Sequence, residues 1–210
     1  MTVESTKSGN SGLIFSSGAG YDMTLSIGVN PALHLARPTR KKFEDALPTV
    51  RNWCALRDER LPEILTQVAP QWAMWSAVSN LHPERSRHTI ELGLCALQFV
   101  MLVTQRLKHG LACPRPIEYD PTLQPMILTP AYGAFPGGHA AEAVMMARLI
   151  KSLSGQEDPN VSPPKTNDLL DQLERLTLRV AENRVVAGLH FPVDSAAGYV
   201  LGDLLASYFL

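Results

Sequence analysis

The stretch Asn183-Arg184-Val185-Val186-Ala187-Gly188-Leu189-His190-Phe191-Pro192-Val193-Asp194 sets an arginine, a histidine and an aspartate in an otherwise apolar segment leading into the last helix. A fixed cation, a ring nitrogen and a carboxylate are the parts needed to hold an oxyanion and attack it. Asp194 can hold one nitrogen of His190 and leave the other free as a nucleophile. Pro192 biases Phe191 away from helical angles. His190 and Asp194 are therefore expected to meet at a helix entry, not along one uninterrupted helix.

Working outward, the flanking sequence reads as helical. Asn167 to about Val186 places Leu169, Leu173, Leu176 and Val180 inward, and Gly138 to about Leu153 places His139, Ala143, Met146 and Ile150 on one face. Between them, Ser154 to Thr166 is a polar surface connection. His88 to Lys108 is the longest pattern. Its stripe of Ile90, Leu94, Leu97, Met101 and Thr104 carries on to Lys108, and Gly110 is read as its stop. Residues 110 to 137 contain Pro114, Pro116, Pro121, Pro125, Pro130 and Pro136, a density that excludes a long helix or central strand. Upstream, Arg40 to Ala46 and Val50 to about Arg60 read as two helices separated by Pro48. Pro62 then breaks or restarts the chain, and Pro70 opens a helix ending near Asn80.

Residues 1 to 38 are rich in Ser, Gly and Asn with short apolar islands. They read as a flexible or extended arm that packs on the body or on a second copy. Residues 39 to 210 then form a single helical catalytic domain. With no convincing period-two alternation, the fold class is all-α, a helical bundle.

Composition narrows the function. The 210 residues are 45% hydrophobic with a net charge of −1, so a nucleic-acid partner has no global electrostatic support and anion binding must be local. Cys54, Cys95 and Cys113 are too few and too scattered for a disulfide framework. The polar first residues carry no secretory signal. The apolar run Thr89 to Thr104, interrupted by Glu91 and Gln98, falls short of the roughly 20 residues a bilayer needs. The expectation is a cytoplasmic protein with no transmembrane segment.

Two further clusters complete the chemistry. Lys108 is followed after six residues by Arg115-Pro116, and Pro136-Gly137-Gly138-His139 sits at a loop-to-helix junction. Arginine and lysine neutralise a tetrahedral oxyanion, arginine through two parallel hydrogen bonds. A Gly-Gly step lets backbone N–H groups approach the anion at the positive end of a helix. Taken singly, each of these residues has an ordinary structural reading. His109 and Cys113 have no partner motif, and His34, His82 and His88 show no metal-ligand spacing.

In this order, K-x6-R-P, P-x-G-H and R-x5-H-x3-D resemble the superfamily joining type 2 phosphatidic acid phosphatases (PAP2), bacterial acid phosphatases and vanadium haloperoxidases, over about residues 88 to 208. The resemblance implies a helical bundle with a phosphate or vanadate pocket. In it His190 attacks phosphorus or bonds to vanadium, Asp194 orients it and His139 is the acid. Lys108, Arg115, Arg184, Gly137 and Gly138 hold the oxygens, and the phosphatase chemistry requires no metal cofactor. Two positions depart from the family, which usually has serine at Gly137 and at Asn183. The leading expectation is a soluble phosphoric-monoester hydrolase with a phosphohistidine intermediate and a small anionic phosphate ester as partner. The alternative is a vanadate-dependent haloperoxidase that uses peroxide and halide. A non-catalytic phosphate-binding module is the third reading, and a homo-oligomer is compatible with each.

Overall fold

The computed structural model describes residues 12–18, 21–68, 72–154 and 167–210. A three-stranded antiparallel sheet, β1 (Leu13–Ser17), β2 (Asp22–Ile27) and β3 (Asn30–Ala36), precedes a mostly helical body. The body comprises α1 (Arg40–Trp53), α2 (Arg57–Thr66), α3 (Trp72–Ser79), α4 (Arg87–Leu111), the single turn α5 (Pro116–Tyr119), α6 (Gly138–Leu153), α7 (Asn167–Val186) and α8 (Pro192–Phe209).

The helical bundle is present as expected, and three local readings change. Residues 13–36, read as an extended arm, are extended but paired. Met23, Leu25 and Leu35 are buried, and the Met23 side chain fills the space beside Gly110 on α4. Gly110 therefore serves close packing and does not end the helix. The left-handed residue that stops α4 is Ala112 (φ 45°), whose N–H returns to the Lys108 carbonyl. Pro48 and Pro62 lie inside α1 and α2, where each removes one helical N–H without breaking the helix. Burial of Phe43, Val50 and Ile64 on either side of these prolines outweighs the local preference. Pro70 and most of Ser154–Thr166 lie outside the described residues.

The core face of α4 is Gly93, Ala96, Val100, Val103, Leu107 and Leu111, offset from the expected stripe. Leu94 and Met101 of that stripe are 40% and 51% exposed, while Thr104 and Lys108 are buried. The helix is apolar nearly all round, so periodicity could not fix its phase. This corrects the expected cytoplasmic location without a transmembrane segment. At 1.5 Å per residue α4 is about 37 Å long. Within Arg87–Tyr119 the apolar window has a mean hydropathy of 1.4 and is only 33% buried, which is long and apolar enough to cross a membrane.

Helix α6 is central, packed on α4, α7 and α8. Gly198 and Gly202 of α8 face Gly137, Ala140 and Ala141. A Cβ on Gly202 would lie 2.5 Å from the Ala141 carbonyl oxygen, so the two backbones come closer than side chains permit. On the other side, Arg179 of α7 makes two 2.7 Å hydrogen bonds to Glu63 of α2, and Asn183 Nδ2 adds a third at 2.9 Å. Asn183 also accepts from Arg60. It is fully buried and joins α2 to α7.

The Arg179 hydrogen bonds hold the Glu63 carboxyl down at about 2, from an ordinary 4.5. A depressed carboxylate stabilises the fold above its unfolded pKa and loses that contribution as pH falls through the folded value. Glu63→Gln is expected to cost about 1–2 kcal/mol near neutrality, discounted for partial exposure. The deficit should shrink between about pH 4.5 and 2, as read by urea unfolding at several pH values.

Candidate active site

Lys108, Arg115, Gly138, His139, Arg184 and His190 line one cavity of about 210 Å³. Gly137 and Asp194 stand directly behind it. The three clusters, separate in sequence, thus converge. Lys108 comes from the end of α4 and Arg115 from the N-cap of α5. Gly138 and His139 open α6, Arg184 ends α7, and His190 precedes α8.

Phe191 is the N-cap of α8, extended (φ −87°, ψ 157°) as the following proline demands. The Asp194 carboxylate, three residues on, accepts the Phe191 N–H at 2.9 Å through Oδ2, the oxygen that also meets His190 Nδ1 at 3.1 Å. That backbone donor makes Oδ2 an acceptor and favours the proton on Nδ1, leaving Nε2 unprotonated, where it accepts a long hydrogen bond from Arg115 Nη1 at 3.5 Å. Burial, then Lys108 and Arg115, keep the His190 ring neutral, with its pKa well below the ordinary 6.5. Burial raises Asp194 to about 7 against the opposing pull of the Phe191 N–H.

Carbonyl oxygens, not carboxylates, tether the three basic side chains. Lys108 Nζ donates to the carbonyls of Gly133 (2.9 Å) and Ala134 (2.7 Å). Arg115 donates to the Tyr132 carbonyl (3.1 Å) and to that of Leu189 (3.0 Å), beside His190. Arg184 Nη2 donates to the Ile64 carbonyl (3.1 Å) and Gln67 Oε1 (2.8 Å). No carboxylate lies within ion-pair distance of these three among the described residues. Burial lowers Arg184 to about 10. The Tyr132 ring covers both Lys108 and Arg115, with centroid distances of 5.4 Å.

His139 Nε2 lies 3.0 Å from the Gln67 carbonyl, an acceptor, so this nitrogen carries the proton. Burial and Arg184 lower the ring to about 4, so it is neutral at pH 7. Among the described residues the buried side-chain polar atoms without a partner are Thr104 Oγ1, Arg184 Nε and Asp194 Oδ1. All three belong to this site or its wall. Such clustering marks a place built to satisfy them with something else.

Sequence reasoning missed Thr104 as a wall residue, Gln67, Tyr132 and Glu142. Thr104 is one turn before Lys108, and Glu142 is one turn after His139, so helical spacing from the motif residues could have found both. Gln67 and Tyr132 carry no such signal. The departure at Gly137 has a packing cause. Its N–H donates to the Asp194 carbonyl at 2.7 Å, and a Cβ there would lie 2.8 Å from that oxygen. Gly137→Ser, although it restores the family's usual residue, is therefore expected to lower stability by about 1–3 kcal/mol. It should also weaken phosphate binding by shifting Asp194; thermal melting and phosphate titration of the variant check both.

No family model matches the chain, and no curated protein does. Among solved structures, the chain is similar to a transmembrane PAP2-type phosphatidylglycerolphosphate phosphatase from Bacillus subtilis. The TM-score is 0.47 at 16% identity, with 80% of this chain and 94% of that one covered. In the order and spacing of Lys108–Arg115, Gly138–His139 and Arg184–His190–Asp194, and in the pocket they form, this chain resembles the PAP2 superfamily.

Proposed function

We propose that the chain is a phosphoric-monoester hydrolase of the PAP2 superfamily acting through a phosphohistidine at His190. One observation carries this reading. Three buried basic side chains, none paired to a carboxylate among the described residues, surround a neutral imidazole whose unprotonated nitrogen, Nε2, lies 3.5 Å from Arg115 Nη1. A tetrahedral phosphate dianion would supply the missing negative charge and bring its phosphorus to His190 Nε2.

In the reaction, His190 Nε2 forms a bond to phosphorus as the ester P–O bond breaks and the leaving oxygen takes a proton. Water then attacks phosphorus and gives up a proton, the N–P bond breaks with its electron pair returning to His190 Nε2, and phosphate is released from the basic side chains. Lys108, Arg115, Arg184 and the Gly138 N–H at the start of α6 hold the equatorial oxygens. Asp194 stabilises the charge that develops on His190. His139, with its Nε2–H given to Gln67, becomes an acid only when the charge of bound phosphate raises its pKa. Vanadate fits the same donors, with His190 as its protein ligand and the three cations around its oxygens; once bound, it would supply peroxide activation.

Purified protein is expected to hydrolyse p-nitrophenyl phosphate, with vanadate as a competitive inhibitor. His190→Ala should lose at least about 10³-fold in kcat/KM and Asp194→Asn about 10²–10⁴-fold. Bromide oxidation by peroxide that appears only after vanadate loading would favour the haloperoxidase chemistry instead. Phosphate binding without either reaction would leave a binding module.

A further inference from the structure

We infer that Thr104 is a further phosphate ligand, whose hydroxyl donates a hydrogen bond to one of the anion's oxygens. It takes the place of the hydroxyl lost where Gly137 stands for the family's usual serine. The inference rests on the anion pocket proposed above and adds a donor to it.

Thr104 lines the cavity one turn before Lys108, on the face of α4 that carries the lysine into the site. It is 2% exposed, yet its Oγ1 has no hydrogen-bond partner. A threonine inside a helix can give its proton to the carbonyl of the preceding turn. Thr177 does so with Leu173 on α7 at 2.9 Å, and Thr66 with Pro62 on α2 at 2.8 Å. Thr104 makes no such bond to Val100. A buried hydroxyl without a partner is destabilising. This one borders a cavity and not a sealed core, so a ligand that brings an acceptor can complete it.

The nature of the other donors identifies that ligand. Lys108, Arg115 and Arg184 select a negative charge, and a phosphate dianion presents acceptors at every non-bridging oxygen. A hydroxyl from position 137 is blocked, because a Cβ there would lie 2.8 Å from the Asp194 carbonyl oxygen. Two hydroxyls remain among the lining residues, Thr104 and Tyr132. Tyr132 is 45% exposed and lays its ring over the basic side chains, so Thr104 holds the buried one. It also borders the start of α6. The atom nearest to a Cβ placed on Gly138 would be Thr104 Cγ2, at 3.7 Å. The threonine therefore adjoins the helix N-terminus whose Gly138 N–H serves the same anion. It adds a neutral donor without adding charge.

The test is inorganic phosphate binding by calorimetry, on the full chain and two variants. Thr104→Val keeps the side-chain outline and removes the hydroxyl; Thr104→Ser keeps the hydroxyl. Thr104→Val is expected to raise the phosphate Kd about 10- to 100-fold, and Thr104→Ser to recover most of that loss. Thermal melting separates binding from structure. Without phosphate, Thr104→Val should melt at or above the parent temperature, since it removes an unpaired hydroxyl, while the rise in Tm on adding phosphate shrinks. A Kd within about twofold of the parent overturns the proposal. So does a Thr104→Ser variant that binds as weakly as Thr104→Val, or a Thr104→Val variant that melts well below the parent. If Thr104→Val does not fold, Thr104→Ala is held to the same Kd criterion. A parent that binds phosphate through Thr104 but hydrolyses no ester sinks the phosphohydrolase reading and upholds this one. Hydrolysis by a Thr104→Val variant that binds phosphate like the parent does the reverse, so the two failures are distinguishable.

Discussion

The hydrogen bond from the Gly137 N–H to the Asp194 carbonyl, 2.7 Å long, joins the first turn of α6 to the first turn of α8. It sets the first turn of α6, whose Gly138 and His139 line the cavity, against the first turn of α8, where Asp194 takes the Phe191 N–H. The side chains on those turns follow. His139 is set by α6, while the Asp194 carboxylate caps α8 and turns His190. The close approach requires glycine at 137 and at 198, where a Cβ would run into the Gly137 carbonyl. The substitution that looks like damage to a phosphate motif is thus part of the packing that builds the pocket.

The electrostatics depend on which groups hold the cations. Carbonyl oxygens, all but one of them backbone, fix Lys108, Arg115 and Arg184 in place without supplying a counter-charge, as carboxylates would. Most of the backbone acceptors come from two irregular places, and Gln67 adds its side-chain Oε1 for Arg184. Tyr132, Gly133 and Ala134 lie in the proline-rich loop, where no ladder or helix consumes their acceptors. Ile64 lies in the last turn of α2, where the last helical carbonyls have no partner within the helix. At an effective dielectric near 20, unit charges about 4 Å apart attract by roughly 4 kcal/mol. An anion that meets several such cations at once offsets much of the cost of having buried them. The Glu63–Arg179–Asn183 clamp between α2 and α7 holds that wall in register.

The fold was legible where apolar spacing has a single phase. Helix α7 has a polar face that fixes its rotation, while α6, buried on nearly all sides, is bounded by the Gly137-Gly138 step and the polar stretch after Leu153; both match the sequence reading to the residue or nearly so. Helix α4 does not, because Leu92, Leu94, Met101 and Leu102 on its outer side are as apolar as Val100, Val103 and Leu107 on its inner side. The same uniformity hid its length and apolar character, since Glu91 and Gln98 looked like interruptions. In β2 the alternation of Met23, Leu25 and Ile27 spans only three apolar positions within a Ser- and Gly-rich stretch. Its partners are supplied by pairing with β1 and β3, which no local pattern announces.

The site was more legible than the fold because charged and imidazole groups are costly to bury and so are rarely placed in a core without purpose. Lys108, Arg115, Arg184 and His190 are each 5% exposed or less. Their spacing in sequence encodes where four helices, α4, α5, α7 and α8, end or begin around one point. Thr104 escaped that logic because its hydroxyl carries no charge and it belongs to no spaced cluster. It is defined by helical geometry relative to Lys108, one turn away, and by the partner its hydroxyl lacks. An unpaired hydroxyl in a sealed core is only a defect. On the wall of a cavity lined by basic side chains, the same hydroxyl is intelligible as a donor to the anion they select.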